Sequence, residues 1–262
     1  MAVYINDISV IGPGLVESEE THAILCGEKQ WADQDMGQLK PDMLPANERR
    51  RTTAVIKLAL KCIQGLLRDQ DDLNTVATVF ASSDGDLDIV DKMCGALACE
   101  KKIISPTLFH NSVHNAPAGY WSIASSMKGP STSLSAGDAS FVCGLLEAVT
   151  QVEVDGGTVF FVAYDYPAPQ KLDQYRHSDY PLAMAFRLSN IAEHKVLGTI
   201  KLEGVESGGK VSKCRNKSLE ALRQALPIGC GLPLVEALSR RARMDVVMPY
   251  LRDEVYRLTI SH

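Results

Sequence analysis

"GPSTSLSAGDASFVCGL", Gly129 to Leu145, runs from a Gly-Pro turn through a short strand-like stretch into a pinched Ala-Gly corner, then into small and apolar residues that open a helix. A strand that hands the chain to a helix N-terminus through such a corner is a suitable seat for a nucleophile. The positive end of the helix dipole stabilises a thiolate there. The residue at this corner is Asp138. A carboxylate gains from the same field and accepts free helix N–H groups, so Asp138 is expected to be a helix cap and a poor nucleophile.

The flanks give the fold class. Val3 to Ile11 is a β-branched run closed by Gly12-Pro13-Gly14, and Asn74 to Ser82 and Thr158 to Ala163 are apolar throughout, as in strands covered on both faces. Asn47 is expected to cap a helix reaching about Arg68. Further helices are expected over Asn115 to Ser126, Phe141 to Val152, Ser218 to Ala225 and Leu232 to Arg241. "YPLAMAFRLS" and "KVLGTIKLEGV" read as two strands of a hairpin turning around Asn190 to His194, and Val246 to Ile260 as one or two more. Leu15 to Leu44 reads as loop with short helical pieces. Strands alternating with helices, several apolar throughout, imply a layered α/β domain with a buried sheet. No repeat or linker divides residues 1–262, which are expected to form one domain.

Composition excludes several classes. The 262 residues carry a net charge of −5, against a broad nucleic-acid face. Seven cysteines at irregular spacing with no CxxC pair suit a reducing compartment, so a cytoplasmic location is expected. No run approaches the ~20 apolar residues that span a bilayer, and the N-terminus lacks signal-peptide character.

Among reactive side chains, Asp84, Asp86 and Asp88 in "SSDGDLD" superficially resemble a calcium loop, but the glycine is misplaced and no closing Glu follows; a helix-starting turn is expected. His110 and His114 have i, i+4 spacing, yet the preceding Ser-Pro-Thr points to extended chain and no third ligand is evident, so structural hydrogen bonding is expected and no metal. His22, His177, His194 and His262 lie in polar or terminal contexts and are expected in solvent. Cys143 lies five residues beyond the corner, inside the helix, and reads as a buried small apolar residue. Ser135 and Ser140 lack a Ser-His-Asp set or a Gly-x-Ser-x-Gly elbow.

"ISPTLFHNSVHNAPAGYWSIASSMKGPSTSLSAGDASF", Ile104 to Phe141, resembles the β-ketoacyl synthases of the thiolase superfamily. Asn115, Ala118, Gly119, Gly129, Pro130 and Ser131 coincide with that family's Asn-x-x-Ala-Gly helix and Gly-Pro-Ser turn. The register sets Asp138 where the family has its acylated cysteine. The resemblance implies a thiolase-like fold, with residues 1–165 as the ketosynthase-like portion and 166–262 as a divergent ending. The family's His-Gly-Thr, Gly-His-x-x-Gly and Gly-Phe-Gly-Gly motifs do not follow Asp165.

The resemblance therefore implies a subunit without catalytic residues or cofactor, similar to the chain-length factors that pair with an active, full-length ketosynthase, here those of bacterial aryl polyene biosynthesis. The acyl carrier protein is a further candidate partner, with Arg49 to Arg51 and Lys101-Lys102 as candidate contacts. In the family the interface runs through the Ser-Pro segment and the following helix, which implies roles for Leu108, Phe109, Asn115, Tyr120 and Trp121 at the partner's acyl pocket, beside Ser135 and Asp138 at the corner. Two other readings compete: an independent thiolase-like acyltransferase using Cys143 or a serine, and a homodimeric acyl-binding or scaffold protein.

Overall fold

Strand β4, Thr158–Asp165, shows how the apolar runs are used. Val159, Phe161 and Ala163 enter one core while Phe160, Val162 and Tyr164 enter another, so the sheet is covered on both faces here. The computed structural model describes residues 2–172, 174–176 and 178–262. His177 thus lies outside the described residues.

The other strands are β1 (Val3–Ile11), β2 (Ala77–Ala81), β3 (Ser131–Leu134), β5 (Leu182–Ser189), β6 (Gly198–Ser207), β7 (Met244–Pro249) and β8 (Glu254–Ser261). They form one sheet in the order β3-β2-β4-β5-β1-β6-β8-β7, in which β2 runs parallel to β3 and β4 and every other neighbour is antiparallel. Strands from both portions of the chain therefore share one sheet. One face carries helices α1 (Ser18–Cys26), α7 (Ser140–Val154), α8 (Lys217–Gln224) and α9 (Leu232–Ser239), with a 3-10 turn at Pro227–Gly231; the other carries α3 (Ala54–Gln64) and α6 (Ala116–Ser125). The short α2 (Ala46–Arg51) and α5 (Pro106–Asn111) and the longer α4 (Leu87–Ala98) lie at the margins.

Three expectations are corrected. β5 and β6 are not a hairpin, because β1 lies between them. Asn6, at the bulge in β1, is buried and holds the connecting loop: its amide donates to Ile191 O (3.0 Å) and its Oδ1 accepts from Glu193 N (3.0 Å). The helix expected from Asn47 to Arg68 is two helices, and the second is capped by Thr53, whose Oγ1 accepts from Ile56 N at 3.3 Å. Residues 106–111 are helical rather than extended, since Ser105 is in the β region and Pro106 takes the first helical position, where its missing N–H costs nothing.

Helix α7 lies close on the sheet, with Phe141, Phe161 and Phe186 in mutual ring contact at 5.5 to 5.9 Å. Gly144 permits that approach: a Cβ there would stand 2.5 Å from Phe161 Cε2 and 2.7 Å from Ala81 Cβ. Gly144→Val should therefore destabilise the protein by about 2 kcal/mol or more despite the better side chain for a core, measured by urea unfolding. Unchanged stability would show that α7 does not press on the sheet at this point.

Candidate functional site

β2, β3 and β4 are parallel, so their carboxyl ends open on the same edge, the usual place for a site in an α/β sheet. Asp165, at the end of β4, is buried there and accepts from Ser82 Oγ (3.0 Å), Ser83 N (2.8 Å) and Ser83 Oγ (2.7 Å). Burial pushes its carboxyl up to about 6, against the pull of these hydrogen bonds and with a further push from Asp84. Ser135 Oγ donates to Ser83 O at 2.9 Å, joining the corner after β3 to the same knot. His114 reaches in from the loop before α6, its Nε2 2.9 Å from Leu134 O, which is the structural role expected of it.

At the corner Gly137 has φ +56°, and Ser140 closes the turn: its Oγ accepts from Ala136 N (2.8 Å) and donates to Gly137 O (2.7 Å). Asp138 is not the cap. Ala139 holds that position without a side-chain bond, and the Asp138 carboxylate turns outward, 74% exposed, onto Arg176 Nη1. Arg176 Nε binds Asp84 in the turn after β2. The guanidinium thus clasps two loops across the mouth of the corner. Loss of Asp138 removes an exposed ion pair, about 0–1 kcal/mol, rather than a helix cap.

The remaining reactive side chains disperse. Asp86 caps α4, accepting from Ile89 N at 3.1 Å, while Asp88 pairs with Lys92 and Asp84 with Arg176, so the Asp-rich turn spends its carboxylates separately. Among the described residues no group of His, Cys, Asp or Glu could hold a metal ion. Burial raises the Cys143 thiol, opposed by its hydrogen bond with Tyr250, which leaves it a weak nucleophile at neutral pH. His22, His194 and His262 are exposed. No helix among the described residues is long and apolar enough to cross a membrane.

The residues proposed for a partner interface divide by depth. Tyr120 and Trp121 are 3% and 1% exposed and fill the core under α3; Tyr120 Oη donates to Asn111 Oδ1 at 3.1 Å. Contact with a partner through Trp121 is thereby corrected: its surface is spent within this chain. Leu108 is half-buried, whereas Phe109, Asn115 and Ser135 are exposed. Phe109 joins Val113 and Ile123 around an open groove of about 550 Å³ floored by Gly119 and Tyr120. β3, paired only with β2, is the free edge of the sheet near this face. Sequence reading missed Arg176 and Asp165; Arg176 stands 38 residues beyond Asp138, and no local pattern links the two.

The family model for the β-ketoacyl synthase N-terminal domain matches residues 26–239, so the match runs well past residue 165. The chain belongs to that family. Among solved structures it is similar to the ketosynthase (ApeO) in complex with its chain length factor (ApeC) from Xenorhabdus doucetiae, at 25% identity and TM-score 0.75, with 99% of each chain covered. The ishigamide ketosynthase/chain length factor follows at 14% identity and TM-score 0.74, and AntDE:AntF, a type II acyl-carrier protein in complex with its ketosynthase, at 12% and 0.72, each again with 99% of both chains covered. No curated protein matches the chain.

Because folding lifts the Asp165 carboxyl from its ordinary 3.8 to about 6, its contribution to stability is full below about pH 4 and is lost as pH rises through 6. Asp165→Asn should remove on the order of 2–3 kcal/mol of the fall in unfolding free energy between pH 4 and pH 7. Identical pH profiles of variant and wild type, by denaturant titration, would reject the buried carboxyl as the cause.

Proposed function

We propose that the chain is the non-catalytic partner of an active β-ketoacyl-acyl carrier protein synthase, a chain-length-factor-like subunit that shapes its partner's acyl pocket. The observation that carries this reading is the clasp at the head of α7. In the register of the family resemblance the acylated cysteine would stand at Asp138, and here that position holds a carboxylate drawn onto Arg176. A carboxylate so paired is a poor acyl acceptor, and Cys143, one and a half turns further on, is held as a thiol by burial. The partner would carry the growing chain on its own cysteine and perform the condensation.

The neighbouring face supports the second half of the proposal. An unpaired edge strand with a row of free backbone groups is a liability unless it is covered, and β3 packs on α6, the helix that exposes Ile123. An aromatic anchor ringed by aliphatic side chains and a groove is the composition of an interface centre. Two of the solved relatives that match along their full length are described as ketosynthase and chain-length-factor assemblies. Resemblance to the aryl polyene subunits supports an aryl polyene product, made in a cytoplasmic pathway. Leu108, half-buried at the rim of this face, is then the residue placed to limit the length of a chain entering from the partner.

Co-expression with the ketosynthase encoded beside it should yield a one-to-one complex. Phe109→Asp combined with Ile123→Asp should abolish co-purification while leaving the melting temperature within a few degrees, since both side chains are exposed. A complex that survives both changes would sink this interface. Leu108→Trp should shorten the products made by the intact complex, read by mass spectrometry; products of unchanged length from an assembled complex would remove Leu108 from the pocket.

A further inference from the structure

Residues 208–243 carry eight basic and two acidic side chains, a net of +6 in a chain whose total is −5, which leaves −11 on the remainder. Both acids are already engaged. Glu220 is bound by Arg223 (2.7 Å) and by Cys214 N (3.0 Å), and the buried Glu236 accepts from Arg215 N (2.7 Å) and Asn216 N (2.9 Å). Asp245, the next acid along, is held by Arg257 and by the Thr259 hydroxyl. Among the described residues Lys213, Arg215, Lys217, Arg240, Arg241 and Arg243 are exposed and none makes an ion pair.

The fold brings Arg215, Lys217 and Arg240 together on a fixed frame. Glu236 of α9 ties down the backbone of 215–216, while the Asn216 amide donates to Ile24 O (3.0 Å) and Lys29 O (2.9 Å) at the end of α1. Arg215 and Lys217 are thereby set facing Arg240 around a cavity of about 390 Å³ that also meets Gln30. Ser212 N donates to Val247 O at 2.8 Å, laying the segment before them along β7. Arg241 keeps its side chain at φ +50°, where glycine would be the unstrained choice.

We propose that this face docks an acidic protein, and that its occupant is the acyl carrier protein serving the complex; the identity of the occupant rests on the functional reading above. Gathered like charges repel one another and do nothing for folding, but they focus a field that captures and orients a partner of opposite sign. The −11 on the rest of the molecule repels an extended polyanion such as nucleic acid, whereas a compact acidic protein can turn its charged side to the patch. A membrane surface is disfavoured because residues 208–243 expose no large apolar side chain to insert. This places the contact away from Arg49 to Arg51 and Lys101-Lys102.

The test uses the co-expressed complex and the purified holo acyl carrier protein from the same gene neighbourhood, with affinity measured by calorimetry at low and moderate salt. Wild type should bind, more weakly as salt rises. Arg215→Gln/Lys217→Gln/Arg240→Gln should weaken binding about tenfold or more, and Arg49→Gln/Arg50→Gln/Arg51→Gln should leave it unchanged. A wild-type complex that does not bind the carrier, or a patch variant that binds it as tightly as wild type, overturns the proposal. Retention of the ketosynthase at one to one in both variants separates that failure from failure of the subunit reading, which would lose the ketosynthase itself.

Discussion

A single buried carboxylate organises the edge of the sheet on which the rest of the site depends. Taking Asp165 out of water costs several kcal/mol, and Ser82 and Ser83 offset part of that cost by presenting three donors to it in fixed geometry. Those serines end β2 and begin the turn that offers Asp84; through Ser83 O they also hold Ser135 and with it the corner after β3. The ends of three parallel strands are thus locked in mutual register. Arg176 closes over a frame that is already rigid.

The family's ketosynthase architecture is retained here. The strand, the Gly137 turn and the following helix are intact, and Arg176 bridges Asp138 of that turn to Asp84. The apolar margin of α5 and α6 and the basic region between α8 and β7 are separate surfaces of opposite character, suited to a permanent partner and a transient one.

Much of this was legible in the sequence where local pattern decides the outcome. Runs such as "VFFVA" are apolar on every residue because both faces of the strand are covered, and the small-residue corner announced its turn and its helix. What escaped were relations set by tertiary structure. "YPLAMAFRLS" and "KVLGTIKLEGV" look like a hairpin, but nothing local shows that the first strand of the chain separates them. Asp138 looked like a cap because caps are acidic; Ser140 took over the turn from inside the helix and released the carboxylate to an arginine far along the chain. Tyr120 and Trp121 carried the right chemistry for an interface, while the helical phase turned them inward and left Ile123 outside. Shared faces follow from pattern; shared sites follow from topology.

The central position of β1 has a consequence for biosynthesis. Its neighbours β5 and β6 begin at Leu182 and Gly198, so β1 leaves the ribosome with no pairing partner until about 180 further residues have been made. At 5–20 residues per second that wait lasts on the order of ten seconds or more, with an apolar strand exposed along both edges. Folding dominated by such distant contacts is slow and gives aggregation its opportunity. Yield of this chain is therefore governed by what shields β1 during translation as much as by the stability of the finished sheet.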